Sequence, residues 1–150
     1  RSEGIPTAYV PGVTSCVAIP AFAGIPVTHR EVSRSFHVIT GHLAGQAADL
    51  CSKLDFASLA RLEGTLVFLM GFGQLRQIAD GLIHAGKEAA TPAAVVHGTF
   101  DASVTVVRGT LADIAEKAAE AAMQAPAVII VGRVAALGGA HEGCMEENTI

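Results

Sequence analysis

Along this chain, hydrophobic residues recur with a spacing typical of strands in some segments and with a spacing typical of helices in others. Short apolar runs bounded by turn residues predict strands at residues 35–40, 65–70, 92–96, 104–107 and 127–131. Apolar positions spaced three and four apart predict helices at 56–62, 75–86 and 110–122, besides a short apolar helix at 14–23. Strands that alternate with helices in this way predict an α/β fold, a mixed β-sheet with flanking helices.

Polar residues at the helix ends support these boundaries. Asp55 stands where an N-cap is expected, and Thr110 with Asp113 resembles a capping box in which Asp replaces Glu. Thr14 or Ser15 is expected to cap the helix at 14–23, because either hydroxyl can accept from a free backbone N–H. Within that helix, Pro20 is expected to bend or break the chain.

Composition excludes several classes of protein. Hydrophobic residues make up 51% of the chain and charged residues 16%, which predicts a soluble globular domain with a substantial core. A net charge of −4 argues against a nucleic-acid partner, which needs clustered Lys and Arg. No apolar run reaches about 18 residues, so no membrane segment is predicted. Three scattered cysteines, Cys16, Cys51 and Cys144, suggest reduced thiols and a cytoplasmic location.

The chain divides into three parts by pattern. Residues 1–33 form a linking segment with the kinked helix, residues 34–137 form the α/β domain, and residues 138–150 form a Gly-rich, then acidic tail without periodicity. The first residues read as if they continued an earlier element, and no initiator Met precedes them. We therefore expect the chain to be part of a longer protein.

Patterns for acid–base or covalent catalysis are missing from the sequence. There is no nucleophile elbow, no Cys/His pair at catalytic spacing and no zinc-like cluster. Gly-Phe-Gly at 71–73 follows a predicted strand and precedes a helix, but alone it indicates only a strand-to-helix turn. These patterns therefore assign no reaction class to the chain.

Several motifs resemble one known family when they are taken together. They are Tyr-Val-Pro-Gly-Val-Thr-Ser at 9–15, Gly-Ile-Pro-Val-Thr-His-Arg at 24–30, Val-Ile-Thr-Gly-His at 38–42, Gly-Thr-Leu-Val-Phe-Leu-Met-Gly at 64–71 and Gly-Thr-Leu at 109–111. The first two resemble the segment that joins the two domains of the tetrapyrrole methyltransferases. The resemblance covers roughly residues 3 to 137 and implies the C-terminal domain of such an enzyme.

The resemblance also implies a ligand and its contacts. The methyl donor is S-adenosylmethionine, and the positions that match donor contacts are Thr14, Ser15, Met70 and the turn His97, Gly98, Thr99. Without the resemblance, Met70 would be interpreted as core filler and the two hydroxyls as a helix cap. A sulfonium donor is already activated, which explains why few catalytic side chains are needed.

The implied substrate is uroporphyrinogen III, whose C-methylation gives precorrin-2 for sirohaem or cobalamin. Arg30 and His42 match positions that face this tetrapyrrole. The substrate carries eight carboxylates, and the planar guanidinium of an Arg can donate two parallel hydrogen bonds to a carboxylate. Taken alone, Arg30 would be a solvated turn charge and His42 a hydrogen-bonded loop histidine.

This chain departs from the family in one respect. The family's Gly-Pro-Gly-Asp-type loop and its later Gly-Asp-Pro-type loop, which belong to an N-terminal domain, are absent. We therefore expect about half of a cleft, an isolated chain that is inactive, and a homodimer as the family assembly. Two alternatives stay open: another precorrin methyltransferase of the superfamily, and a non-catalytic folding or dimerisation module.

Overall fold

The five predicted strands form a single mixed sheet. The computed structural model describes residues 3–41, 54–98 and 104–138. In chain order the strands are β1 Phe36–Thr40, β2 Thr65–Leu69, β3 Pro92–Gly98, β4 Val104–Thr110 and β5 Ala127–Val131. They lie side by side in the order β1-β2-β5-β3-β4. β3 pairs antiparallel with β4, with Val95 opposite Val107.

Strand directions decide where the ends meet. β1 runs parallel to β2, whereas β5 runs antiparallel to both β2 and β3. β2 and β3 therefore point the same way, although β5 lies between them. Their C-terminal ends and the N-terminal end of β5 lie at the same end of the sheet. Open α/β sheets hold ligands at the C-terminal ends of their strands.

Helices cover both faces of the sheet. On one face lie α2 Phe56–Arg61, α3 Leu75–His84 and α4 Ile114–Glu120, and on the other lie α1 Ser15–Phe22 and the 3-10 turn Arg133–Ala136. Successive residues of a strand point to opposite faces of the sheet, so the strands contribute to two separate hydrophobic cores. Phe68 and Ile129 face α3, while Val67 and Ile130 face α1. The predicted α/β fold, a mixed sheet with flanking helices, is confirmed.

Helix α1 lies within one residue of its predicted bounds, but its N-cap differs from the prediction. Thr14 occupies the N-cap position, but its hydroxyl lies 3.0 Å from Cys16 Sγ and bonds no backbone N–H, so the predicted cap is wrong. Pro20 does not break the helix, which continues to Phe22. The helix ends there, and Gly24, with a φ of 67°, allows the left-handed turn that is closed by the Ile25 N–H donating to the Pro20 carbonyl.

The two other predicted caps hold to different extents. Asp55 caps α2 as predicted, accepting from the Ser58 N–H at 2.9 Å. Asp113 Oδ1 accepts from the Thr110 N–H at 2.6 Å, but α4 begins only at Ile114, so Thr110 does not open it. The intervening residues form a turn that Asp113 ties back to the end of β4.

The Asp113 carboxylate predicts a pH dependence of stability. The hydrogen bond from Lys117, followed by that from the Thr110 N–H, lowers the pKa of Asp113 below its ordinary 3.8. The stabilisation is therefore complete above pH 3.8 and is lost as pH falls through the folded-state pKa. We expect Asp113→Asn to lower the free energy of unfolding at pH 7 and to differ much less from the parent at pH 2–3. Urea unfolding at both pH values checks this, with Glu120→Gln on the same helix as the control; an equal deficit at both values would contradict it.

The remaining expectations concern the segments around this fold. Tyr9 and Val10, in the segment that precedes α1, are exposed. In the described ranges no helix is both long and apolar enough to cross a bilayer. Cys51, Cys144 and nearly all of the tail at 138–150 lie outside the described residues.

A candidate ligand cleft at the strand ends

A cleft of about 680 Å³ opens at the end of the sheet where β2 and β3 end and β5 begins. This volume lies within the range usual for small-molecule sites. Apart from one hydroxyl, the described side chains around it are apolar, and none of these is titratable. The lining consists of Ser15, Ile19, Leu69, Met70, Phe72, Gly73, Val96, Gly98, Ala125, Pro126, Ala127 and Val128.

Helix α1 supplies the polar wall of this cleft. Ser15 is its first residue and Ile19 follows one turn later, so both reach the cleft from the same face of the helix. The Thr14 side chain does not take up the N–H groups of this first turn. A hydroxyl beside a helix N-terminus suits a carboxylate or another electron-rich group of a ligand.

Met70 occupies a strained position at the end of β2. Its φ of 55° lies in the left-handed region, which costs about 1–2 kcal/mol for a residue with a Cβ. The side chain is 64% exposed, so it is not core filler. Strained non-glycine residues cluster at functional sites, and this one borders the cleft.

Two glycines fix the backbone next to Met70. A Cβ on Gly41 would overlap the backbone of Gly71, so the chain leaving β1 touches the chain leaving β2. The Gly41 N–H donates to the Leu69 carbonyl at 2.7 Å, beside the last parallel pair of β1 and β2, Thr40 opposite Leu69. This close contact holds the turn that carries Met70.

The structure brings together some of the predicted donor contacts. Ser15, Met70 and Gly98 line the cleft, although they are far apart in sequence. Thr14 is adjacent to Ser15 but is not part of the lining. His97 is not brought to the cleft: it lies between Val96 and Gly98 and points to the other face, where Nδ1 is 2.9 Å from the Pro126 carbonyl oxygen. Thr99 lies outside the described residues.

The predicted substrate contact Arg30 does not line this cleft. Arg30 is exposed in a separate polar groove of about 270 Å³, together with Arg34, Glu31 and Glu63. This groove lies where β1 and β2 begin, at the end of the sheet opposite the cleft. Five strand residues separate the two ends, a span of roughly 13 Å at the usual rise. His42 lies outside the described residues.

Sequence reasoning missed most of the apolar lining. Ile19, Phe72 and Pro126 border the cleft, yet each reads as ordinary core or turn in the sequence. The available signal was weak: Pro126 directly precedes a predicted strand, but its place depends on β5 lying between β2 and β3. Across the three described ranges, no three His, Cys, Asp or Glu side chains converge as metal ligands. The cleft is therefore suited to holding and shielding a ligand.

Comparison with known proteins gives consistent matches. The family model for the tetrapyrrole (corrin/porphyrin) methylases matches residues 1–136. An S-adenosyl-L-methionine-dependent uroporphyrinogen III methyltransferase of Methanosarcina barkeri is 44% identical over 148 residues, which are 99% of this chain and 56% of that protein. A sirohaem synthase of Salmonella typhi is 41% identical over 89% of this chain and 28% of its own length. The chain thus spans about half, or less, of these relatives.

Solved structures agree with the sequence matches. A uroporphyrin-III C-methyltransferase from Thermus thermophilus, complexed with S-adenyl homocysteine, superimposes with a TM-score of 0.69 at 32% identity. The match covers 89% of this chain and 55% of that one. A cobalt precorrin-4 methyltransferase gives a TM-score of 0.75 at 22% identity, and that likeness concerns the fold alone.

Proposed function

Because the chain belongs to the tetrapyrrole (corrin/porphyrin) methylase family, we propose that its apolar cleft holds the methyl donor S-adenosylmethionine. The whole protein then transfers methyl groups to pyrrole carbons of uroporphyrinogen III, giving precorrin-2. When bound, the donor supplies an activated methyl group. The residues of this chain bind it, orient it and keep water away, which requires no general base in the cleft.

One observation carries this proposal. Three residues that sequence motifs assign to the donor, Ser15, Met70 and Gly98, converge on one cleft of suitable size from three different elements. The apolar lining suits the uncharged parts of a nucleoside ligand. The Ser15 hydroxyl and the α1 N-terminus suit its carboxylate. Donor contacts at Thr14, His97 and Thr99 remain proposals that rest on the resemblance alone.

The tetrapyrrole contacts are proposed separately from the donor contacts. We propose that Arg30 holds a peripheral carboxylate of the substrate, with His42 as a further contact. Support comes from the exposed guanidinium of Arg30 in a polar groove beside Arg34. Arg30 does not line the cleft proposed for the donor, which supports separate roles that experiment can distinguish.

Assembly and location are also proposals. We propose a cytoplasmic homodimer, in which a second copy or another part of the protein covers exposed apolar side chains. Support comes from Tyr9 and Val10, which precede α1, and from Val38 on the edge strand β1.

Calorimetry with S-adenosylhomocysteine, the demethylated donor, tests the proposal on the 150-residue chain. We expect saturable binding with one site per chain. Arg30→Lys should leave this affinity unchanged within twofold. In a two-domain protein completed with a family N-terminal domain, the same change should lower kcat/KM for uroporphyrinogen III about tenfold or more, since Lys lacks the planar fork that grips a carboxylate.

The outcomes separate the two roles. Absence of S-adenosylhomocysteine binding would contradict the donor site. A loss of that binding in Arg30→Lys would contradict the separation of the groove from the cleft. If Arg30→Lys leaves kcat/KM of the two-domain protein unchanged, Arg30 is a solvated turn charge and not a substrate contact.

A further inference from the structure

We propose that Met70 is an oxidation site, and that its conversion to the sulfoxide weakens ligand binding in the apolar cleft. This inference rests on the proposed function, because it concerns the regulation of the same cleft. A long thioether at the mouth of a ligand site is open to small oxidants as well as to the ligand. The structure supports this in two ways, through exposure and through the surroundings of the side chain.

Exposure distinguishes Met70 from the other methionine that the structure describes. Met70 is 64% exposed at the cleft, whereas Met123 is half-buried and packs against the core beside α4. Thioether oxidation follows access of the oxidant to sulfur. Met70 is therefore expected to react first of the two, and Met123 provides an internal reference. The third methionine, Met145, lies outside the described residues.

The reaction is a two-electron oxidation by a peroxide. A lone pair on Met70 Sδ attacks one oxygen of hydrogen peroxide, the O–O bond breaks, and an S–O bond forms. The departing hydroxide takes up the proton of the transferred oxygen and leaves as water. Sulfur is oxidised, the peroxide is reduced, and a thiol-dependent methionine sulfoxide reductase restores the thioether.

The surroundings of Met70 explain why the sulfoxide should matter. Among the described residues that line the cleft, only Ser15 has a side-chain group that can donate a hydrogen bond, and it stands on α1 rather than on the turn that carries Met70. Water solvates the S=O group while the cleft is open, but a bound ligand would strip that water away. Burying a polar oxygen without a hydrogen-bond partner is unfavourable, so the sulfoxide lowers the affinity of the cleft for its ligand. We expect affinity for S-adenosylhomocysteine to fall about tenfold or more.

The experiment treats the 150-residue chain with dilute hydrogen peroxide and follows each methionine by peptide mass mapping. Met70 should gain one oxygen before Met123, and saturating S-adenosylhomocysteine should slow its reaction. Calorimetry of the oxidised chain should show the weaker affinity, and methionine sulfoxide reductase should restore it. Met123→Leu should stay sensitive to peroxide, whereas the affinity of Met70→Leu, whatever its starting value, should not change on treatment.

Each result bears on the proposal. Oxidation of Met123 before Met70, or unchanged affinity after complete oxidation of Met70, would overturn it while leaving the donor site intact. A Met70→Leu chain that still loses affinity on treatment would assign the effect to another residue and overturn it as well. If the untreated chain binds no S-adenosylhomocysteine, the proposed function fails first, and the effect on binding fails with it.

Discussion

Met70→Gly is expected to raise the free energy of unfolding and, in the same protein, to weaken S-adenosylhomocysteine binding. Glycine adopts the φ of 55° found at this position without the steric penalty that a Cβ incurs. Relief of about 1–2 kcal/mol is partly offset by the greater freedom of glycine in the unfolded chain, about 0.4–1 kcal/mol. A net stabilisation of about 0.5–1 kcal/mol remains.

The loss of affinity has a different origin. The exposed Met70 side chain contributes little to the core, but it supplies apolar surface to the cleft. Removing a side chain that packs against a ligand forfeits about 1.5–3 kcal/mol of apolar burial, or roughly tenfold to a hundredfold in affinity. Urea unfolding and calorimetry on the same preparation measure the two effects.

Ala122 offers a matched control. It follows α4 with a φ of 50°, in a left-handed turn closed by the Met123 N–H donating to the Ala118 carbonyl at 3.0 Å. Ala122→Gly should stabilise the chain by a similar amount and leave S-adenosylhomocysteine affinity unchanged, because Ala122 is not among the residues that line the cleft. If Met70→Gly destabilises the fold, Met70 is a structural residue. If it leaves affinity intact, Met70 is not a donor contact.

The local elements of this fold could be predicted because their signals are local. The run around Phe68 is apolar on both faces, and β2 is buried on both faces. Asp55 marks the start of α2 because a carboxylate three residues before a free N–H can cap it. Thr14 has the same type of signal, yet its hydroxyl meets Cys16 Sγ instead. A capping residue indicates a boundary more reliably than it indicates the bond itself.

The site could be predicted only in part, because its assembly depends on the order of the strands. No local pattern states that β5 lies between β2 and β3 and runs against both. Pro126 and Val128 reach the cleft for that reason alone. The order of the strands also explains Arg30: it is close to the helix α1 in sequence, but the chain passes to the opposite end of the sheet before β1 begins. Proximity in sequence to α1 therefore does not bring Arg30 to the cleft that α1 lines.

Gly41→Ala is expected to be the most damaging single substitution next to the cleft. The added Cβ would overlap the Cα of Gly71, and backbone, unlike a flexible side chain, cannot rotate away. The ends of β1 and β2 would have to separate, with loss of the 2.7 Å hydrogen bond from the Gly41 N–H to the Leu69 carbonyl. Overpacking of this kind costs about 1–3 kcal/mol, and the lost hydrogen bond about 1 kcal/mol more. We expect a destabilisation of about 2–4 kcal/mol in urea unfolding.

Gly73→Ala is the control for Gly41→Ala, because nothing lies within 4 Å of a Cβ at position 73. It should change the free energy of unfolding by less than about 0.5 kcal/mol, as surface substitutions usually do. Separation of the strand ends also moves Met70, which directly follows Leu69. The Gly41→Ala chain should therefore bind S-adenosylhomocysteine more weakly even in conditions where it is fully folded. A destabilised variant with unchanged affinity would mean that the contact between Gly41 and Gly71 supports the sheet without positioning Met70.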